Sequence, residues 1–209
     1  MLGKEDTAVR GNFLSALAMF SAVAITLINI VNPLLIIIGI SIGALIGALI
    51  ALKVKMTSIP EMVALFNGFG GLATFFIAWS EFNSIPDSTF QYILIMITVY
   101  IGGVTFSGSI IAFGKLSERL KIEKTSFITK IFTTIFYISI LYLIYSISLT
   151  KVFEPSFDFF TILLIITLLA GIGFVLPIGG GDMPVVISLL NFFSGIAAAF
   201  AGLLLLNNV

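Results

Sequence analysis

Long apolar runs, separated by short polar connections, extend over nearly the whole chain. An α-helix needs about 20 apolar residues to cross the roughly 30 Å hydrocarbon core of a bilayer, and seven runs reach or approach that length. We interpret them as transmembrane helices one to seven, with the bounds Asn12–Val31, Leu34–Leu52, Pro60–Trp79, Thr89–Phe113, Ile128–Leu149, Phe157–Leu176 and Pro184–Leu206. The pattern predicts an all-α, polytopic transmembrane helical bundle, with residues 1–209 as a single transmembrane domain.

Composition supports a membrane protein and excludes several kinds of chemistry. Hydrophobic residues make up 59% of the chain and charged residues only 10%, which leaves too few polar side chains for the surface of a soluble domain. The formal net charge is zero, so no basic surface argues for nucleic acid. Because the chain has no cysteine and no histidine, we exclude disulfides, a Ser-His-Asp triad and the usual zinc, haem and iron–sulfur ligand sets within it.

Basic residues concentrate in connections that a seven-helix chain places on one face of the membrane. Nine of the ten basic residues fall there: Lys4, Arg10, Lys53, Lys55, Lys115, Arg119, Lys121, Lys124 and Lys130. Lys151 falls on the opposite face, beside Glu154 and Asp158. Because cytoplasmic connections are enriched in Lys and Arg, this asymmetry predicts that Met1 lies in the cytoplasm and Val209 on the far side.

Two helices carry unusual sets of small residues. Helix two has Gly39, Gly43 and Gly47 at four-residue spacing, which predicts a surface for close packing of another helix. Helix four contains the segment 102–109, in which glycine and hydroxyl residues dominate. Hydroxyl side chains there either pack and bond back to their own helix, or line a polar path.

An internal repeat links helices three and seven, because the segment 59–71 matches the segment 183–195 without gaps. The matched pairs include Pro60 with Pro184, Leu65 with Leu189, Asn67 with Asn191, Phe69 with Phe193 and Gly71 with Gly195. The spacing puts proline, asparagine and glycine on one face of each helix. Since an even number of helices separates the copies, we expect a parallel pseudo-repeat about an axis along the membrane normal.

The two asparagines and Asp182 are the candidate functional residues of this repeat. An amide in lipid is costly unless it faces protein or water, so Asn67 and Asn191 are either interhelical hydrogen-bond partners or residues that hold water in a proton path. Ser58 and Asp182 precede the two prolines and are candidate helix N-caps. Asp182 is alternatively a gate or a contact for a cytoplasmic partner.

Several segments resemble the beta subunit of proton-translocating NAD(P) transhydrogenase. They are Ile178–Asn191, Pro60–Gly71, Val104–Leu116 and Thr7–Asn12, which are spread from the start to the end of the chain. The resemblance implies that the complete enzyme transfers hydride between NADH and NADP⁺ while protons cross the membrane. It implies no cofactor in this chain, because NAD(H) and NADP(H) bind in soluble domains. The chain would be the proton-conducting membrane domain, inactive in hydride transfer by itself.

The resemblance also implies roles for single residues. Asn67 matches a position that is histidine in the proton path of some members, so a titratable histidine would come from a partner membrane subunit. Asn191 matches a polar residue in the same path, and Ser109 matches a serine of the membrane domain. Asp182 matches an aspartate at the cytoplasmic mouth that is associated with coupling to the NADP(H) domain.

The same resemblance implies partners and a location. The partners would be membrane lipid, the transhydrogenase alpha subunits including a small membrane subunit, and the NADP(H)-binding domain, in a homodimer of the whole complex without nucleic acid. The location would be a bacterial inner membrane. The family's usual subunit has a helix before Thr7–Asn12, another after Asn207, and a C-terminal NADP(H) domain, so we expect a fragment or the product of a split gene.

Two other functions fit the residues alone. One is an unrelated small-solute transporter that uses the parallel repeat. The other is a non-transporting membrane assembly scaffold, in which both amides serve only as hydrogen-bond partners between helices.

Overall fold

The seven helices expected from the apolar runs are present. A computed structural model of the protein describes residues 5–28, 34–84, 88–120, 127–149 and 157–205, and within these ranges it contains α-helices and 3₁₀ turns but no strand. The helices are α1 (Glu5–Ile28), α2 (Leu34–Lys53), α3 (Ile59–Asn83), α4 (Thr89–Leu116), α5 (Phe127–Leu149), α6 (Phe157–Val175) and α7 (Met183–Leu204). Among the described residues, all of these except α5 are long and apolar enough to cross a membrane. The prediction of an all-α, polytopic helical bundle is confirmed.

Helix ends differ most from the prediction where polar residues continue a helix. The first helix begins at Glu5 instead of Asn12, and the third runs past Trp79 to Asn83. Hydropathy reports which part of a helix suits lipid, whereas the backbone hydrogen bonds that define a helix also form between polar residues. The predicted ends Val31 and Leu206 lie outside the described residues.

The described part of the chain divides into two compact units, one up to residue 54 and one from residue 55 onward. The first unit contains α1 and α2, and α2 has no buried residue among those described. A Cβ added at Gly39, Gly43 or Gly47 meets no atom within 4 Å in the described part of the chain. The close helix approach that this glycine stripe predicts is therefore not made there.

The second unit is built around α4, which packs against α3, α5, α6 and α7. Helices α3 and α7 also pack together, as do α5 and α6. Asn67 contacts Ile187, and three residues later Gly70 faces Ser194, so α3 and α7 advance in the same direction. This parallel arrangement is the one that the even helix offset predicts.

Two apolar clusters occupy opposite ends of the second unit. The first contains Phe75, Ala78, Leu94, Ile95, Met96, Val99, Phe160, Leu163, Leu164 and Leu204, and the second contains Ala64, Ala112, Val175, Met183, Val186, Ile187 and Leu190. Between them along α3, α4 and α6 lie buried polar side chains, which we call the polar layer: Asn67, Thr74, Thr105, Ser107, Ser109 and Thr167. The candidate functional residues of the bundle interior belong to this layer.

Glycines bring the helix backbones close together at the polar layer. A Cβ added to Gly71 would lie 2.7 Å from the Gly102 carbonyl oxygen, and one added to Gly102 would lie 2.8 Å from the Gly71 carbonyl oxygen. Helices α3 and α4 therefore cross backbone to backbone at this pair, which only residues without a side chain permit. The close contact at this pair fixes how α3 and α4 are aligned along their axes, and so which polar side chains of the two helices face each other.

Candidate functional site

Asn67 is buried at the junction of α3 with α7. Only 8% of its surface is solvent-exposed, and its Nδ2 donates a hydrogen bond to the Ile187 carbonyl oxygen at 3.4 Å. In the α-helix this carbonyl lies one turn before Asn191. The amide thus joins the two copies of the repeat, as the hydrogen-bonding interpretation of Asn67 predicts.

Ser109 lies beside Asn67 on the neighbouring helix α4. A Cβ added to Gly68, the residue after Asn67, would lie 3.0 Å from the Ser109 Cβ. Ser109 is fully buried, and its Oγ has no hydrogen-bond partner among the described residues. Leaving a buried polar group unpaired costs about 1–3 kcal/mol. The structure therefore places a buried hydroxyl, with no hydrogen-bond partner among the described residues, against Gly68, the residue that follows Asn67.

Asn191 differs from Asn67 in its environment, although the two residues match in the repeat. Ser188, Asn191 and Gly195 are exposed, whereas the buried face of α7 consists of Met183, Val186, Ile187, Leu190, Ala197, Ala201 and Leu204. The small-residue stripe of α3 packs against α4 at Gly71. On α7, a different face with mostly large apolar side chains packs into the bundle. As a result, the amide stripe of α7 faces outward from the second unit.

The other hydroxyls of the polar layer bond to their own helices. Thr105 donates to the Ile101 carbonyl at 2.6 Å, and Ser107 donates to the Gly103 carbonyl at 2.9 Å. These bonds match the packing interpretation of the segment 102–109. Thr74 and Thr167 complete the polar layer from α3 and α6. Neither was predicted as a site residue, because the sequence shows each only as a lone hydroxyl within an apolar run.

Asp182 lies at the entrance to α7 and not in the polar layer. It ends the 3₁₀ turn Gly180–Asp182, is exposed, and makes no side-chain capping bond to the first turn of α7. Ser58, at the equivalent position before α3, makes no such bond either. Both residues occupy the predicted N-cap positions, but the 3₁₀ turns, not their side chains, lead the chain into the helices.

Sequence analysis also missed Lys115 as a structural residue. Its half-buried side chain reaches from the end of α4 to the carbonyl oxygens of Val175, Leu176 and Ile178 at the end of α6. The sequence gives only a basic residue after an apolar helix, which is the usual place for lysine at a membrane boundary.

The structure thus packs Ser109 against Gly68, the residue after Asn67, and the carbonyl that Asn67 contacts lies one turn from Asn191. Amides and hydroxyls both donate and accept hydrogen bonds, but neither titrates at physiological pH. This arrangement can hold and orient water or another polar group. A proton carrier that changes charge must be a different residue.

Comparison with known proteins identifies the family. Residues 1–209 match the family model described as the NAD(P) transhydrogenase beta subunit. The chain is 32% identical over 219 aligned residues to the NAD(P) transhydrogenase subunit beta of Rhodospirillum rubrum, and equally to the subunit of that name from one strain of the species. The alignment covers 99% of this chain and 46% of each relative, so the chain spans about half of their length. The chain belongs to the NAD(P) transhydrogenase beta subunit family.

Proposed function

We propose that this chain is the proton-conducting membrane domain of an NAD(P) transhydrogenase. Protons cross the membrane through it, and their movement is coupled to hydride transfer between NAD(H) and NADP(H) bound in soluble domains outside the chain. Asn67, Ser109 and Asn191 line the path, and Asp182 couples the path to the NADP(H)-binding domain. The family relationship supports the assignment to a transhydrogenase. The buried side chains of the polar layer support a path for protons through the bundle.

The observation that carries the proposal is the buried Ser109 hydroxyl, which has no hydrogen-bond partner among the described residues and packs against Gly68, next in sequence to the buried Asn67. Helix packing alone gives no reason to keep a hydroxyl that bonds to nothing, since alanine fills nearly the same space. Thr105 and Ser107, four and two residues earlier on α4, donate their hydroxyls to carbonyl oxygens of the same helix. An unpaired hydroxyl next to an amide is suited to hold water that relays protons.

The exposed amide of Asn191 supports a partner at the outer face of α7. An amide that faces lipid is costly, so polar residues in membrane helices face protein or water. Because this chain has no histidine, we assign the titrating group to a small membrane subunit among the alpha subunits, whose helix would lie against Ser188, Asn191 and Gly195. The chain would thus provide one wall of the path and its partner the proton carrier.

The remaining parts of the proposal concern assembly and location. Charge asymmetry supports a cytoplasmic N-terminus, so the start of α7 and Asp182 would meet the NADP(H)-binding domain on the cytoplasmic side. The whole complex would be a homodimer in a bacterial inner membrane, surrounded by lipid. The chain by itself would not transfer hydride.

The test is proton pumping by the complete complex reconstituted in vesicles. We expect Asn67→Ala with Asn191→Ala to lower proton movement driven by hydride transfer by about tenfold, the rate factor for roughly 1.4 kcal/mol of lost hydrogen bonding. The matched control is Asn83→Ala, since Asn83 is exposed at the end of α3 and its amide donates to the Trp79 carbonyl of its own helix.

Two outcomes would contradict this assignment. Unchanged pumping by the double variant would show that the amides are not required elements of a path. A loss of assembled complex, with unchanged pumping per assembled complex, would support the scaffold function instead, for which the back-bonded hydroxyls of the polar layer are the favouring observation.

A further inference from the structure

Lys115 links the end of α4 to the end of α6. Its Nζ donates hydrogen bonds to the carbonyl oxygens of Ile178 at 2.7 Å, of Val175 at 3.4 Å, and of Leu176. The last carbonyls of an α-helix have no partner within the helix, and the helix dipole makes that end negative. The Lys115 ammonium group donates to these carbonyls and also places a positive charge at the negative end of α6. Hydrogen bonds from a charged donor are stronger than those from a neutral donor.

The backbone that carries Lys115 is itself held in place. After α4 the chain turns through Glu118, which has a positive φ of 54°. Leu120 N–H then donates to the Gly114 carbonyl at 2.8 Å, and the Leu120 side chain covers Gly114, where a Cβ would collide with it. This closed turn gives Lys115 a rigid base, so its hydrogen bonds transmit the position of α4 to α6.

The hydrogen bond to Ile178 reaches beyond α6 into the connection that precedes α7. Gly179, Gly180 and Gly181 follow, and glycine has the greatest backbone freedom of all residues. A Cβ added at Gly180 or Gly181 meets no atom within 4 Å in the described part of the chain. The connection is therefore held at its two ends, by Lys115 at Ile178 and by the fully buried side chain of Met183.

We propose that Lys115 is a positioning residue that sets the place of Asp182 by clamping the connection between α6 and α7. The inference rests on the proposed function, because there Asp182 couples the membrane domain to the NADP(H)-binding domain. Three residues separate Ile178 from Asp182, all of them glycines, and Gly180 and Gly181 have open space where a Cβ would stand. Without the clamp, the glycine connection is held less firmly at Ile178, Asp182 is positioned less precisely, and movement in the membrane domain reaches the soluble domain in a less defined way.

The first experiment measures coupling in the complete complex. Lys115→Met and Lys115→Gln remove the charge, and we expect protons moved per hydride transferred to fall about tenfold, the population change for the loss of one charged hydrogen bond. Lys115→Arg keeps a cation with several donors and should retain most of the coupling. Lys55→Met, at an exposed lysine before α3, is the matched control and should change nothing.

The second experiment reports on the connection directly. The chain has no cysteine, so Gly180→Cys provides one site for a spin label in open space, in a complex whose other subunits have had their cysteines replaced. We expect the label to become more mobile with Lys115→Met and to keep its mobility with Lys115→Arg.

The possible results separate the two proposals. An unsubstituted complex that moves no protons would contradict the proposed function, while the label still reports whether the clamp exists. Normal coupling and unchanged label mobility in Lys115→Met would overturn the positioning role. Failure of both neutral variants to assemble, with normal assembly of Lys115→Arg, would also overturn it, because Lys115 would then serve assembly.

Discussion

Ser109 carries a hydroxyl group into the interior of the second unit, at the crossing of α3 and α4. Its neighbours on α4 have the same chemistry but donate to carbonyl oxygens of the preceding turn. Ser109 therefore differs from these neighbours in its hydrogen bonding and not in its side-chain chemistry. A buried hydroxyl without a partner among the described residues lowers stability, which is why the proposed path includes Ser109.

This difference can be tested by removing hydroxyls one at a time. We expect Ser109→Ala to raise the free energy of unfolding by about 1 kcal/mol, because an unpaired buried group disappears, and at the same time to slow proton movement in the complete complex. Ser107→Ala should lower the free energy of unfolding, because it removes the bond to the Gly103 carbonyl. Thermal unfolding in detergent measures both, and a destabilised Ser109→Ala variant would contradict the absence of a partner.

Helices α3 and α7 share a sequence pattern but pack in different ways. The pattern predicted one face with proline, asparagine and glycine on each helix, and both faces exist as predicted. Which face becomes buried depends on the neighbouring helix: α4 offers Gly102 to the stripe of α3, while α7 buries a different, larger-residue face. Periodicity within one helix contains no information about its neighbour, so the opposite burial of Asn67 and Asn191 could not be predicted.

The matched glycines of the repeat give a direct test of this asymmetry. A Cβ at Gly71 would meet the Gly102 backbone at 2.7 Å, whereas a Cβ at Gly195 meets no atom within 4 Å in the described part of the chain. We expect Gly71→Ala to cost about 1–3 kcal/mol in unfolding free energy, since backbone cannot move aside as a side chain can. Gly195→Ala should be neutral or stabilise by about 0.5–1 kcal/mol, because alanine favours the helix. Equal effects in thermal unfolding of the purified chain would contradict the packing described for α3.

The whole second unit has two different ends. The starts of α3 and α7, the end of α4 and the end of α6 share one end, where the second apolar cluster and Lys115 lie. The stacked rings of Phe82 and Phe160, with centroids 3.9 Å apart, mark the other end. Because basic connections stay in the cytoplasm, the end that contains Lys115 and Asp182 should face the cytoplasm.

Single cysteines on either side of α3 test this orientation. Met56 precedes α3 and Ser88 follows it, and both side chains are exposed. In intact cells, where a membrane-impermeant maleimide reaches only the outer side of the membrane, the reagent should label Ser88→Cys. Met56→Cys should stay unlabelled until the membrane is permeabilised. The reverse pattern would contradict the cytoplasmic N-terminus. Gly68→Cys, buried in the polar layer, is the control that should stay unlabelled in both cases.

The sequence by itself determined the number of helices, the all-α class, the parallel direction of the repeat and the family. Each follows from local properties, namely the length of apolar runs, the spacing of residues and the order of motifs along the chain. Only the tertiary structure decided that Asn67 is buried and Asn191 exposed, that the Ser109 hydroxyl has no hydrogen-bond partner among the described residues, and that Lys115 joins α4 to α6. These features depend on which atoms of distant segments meet, and the physical reason is that helix faces and hydrogen-bond partners are chosen by packing between helices.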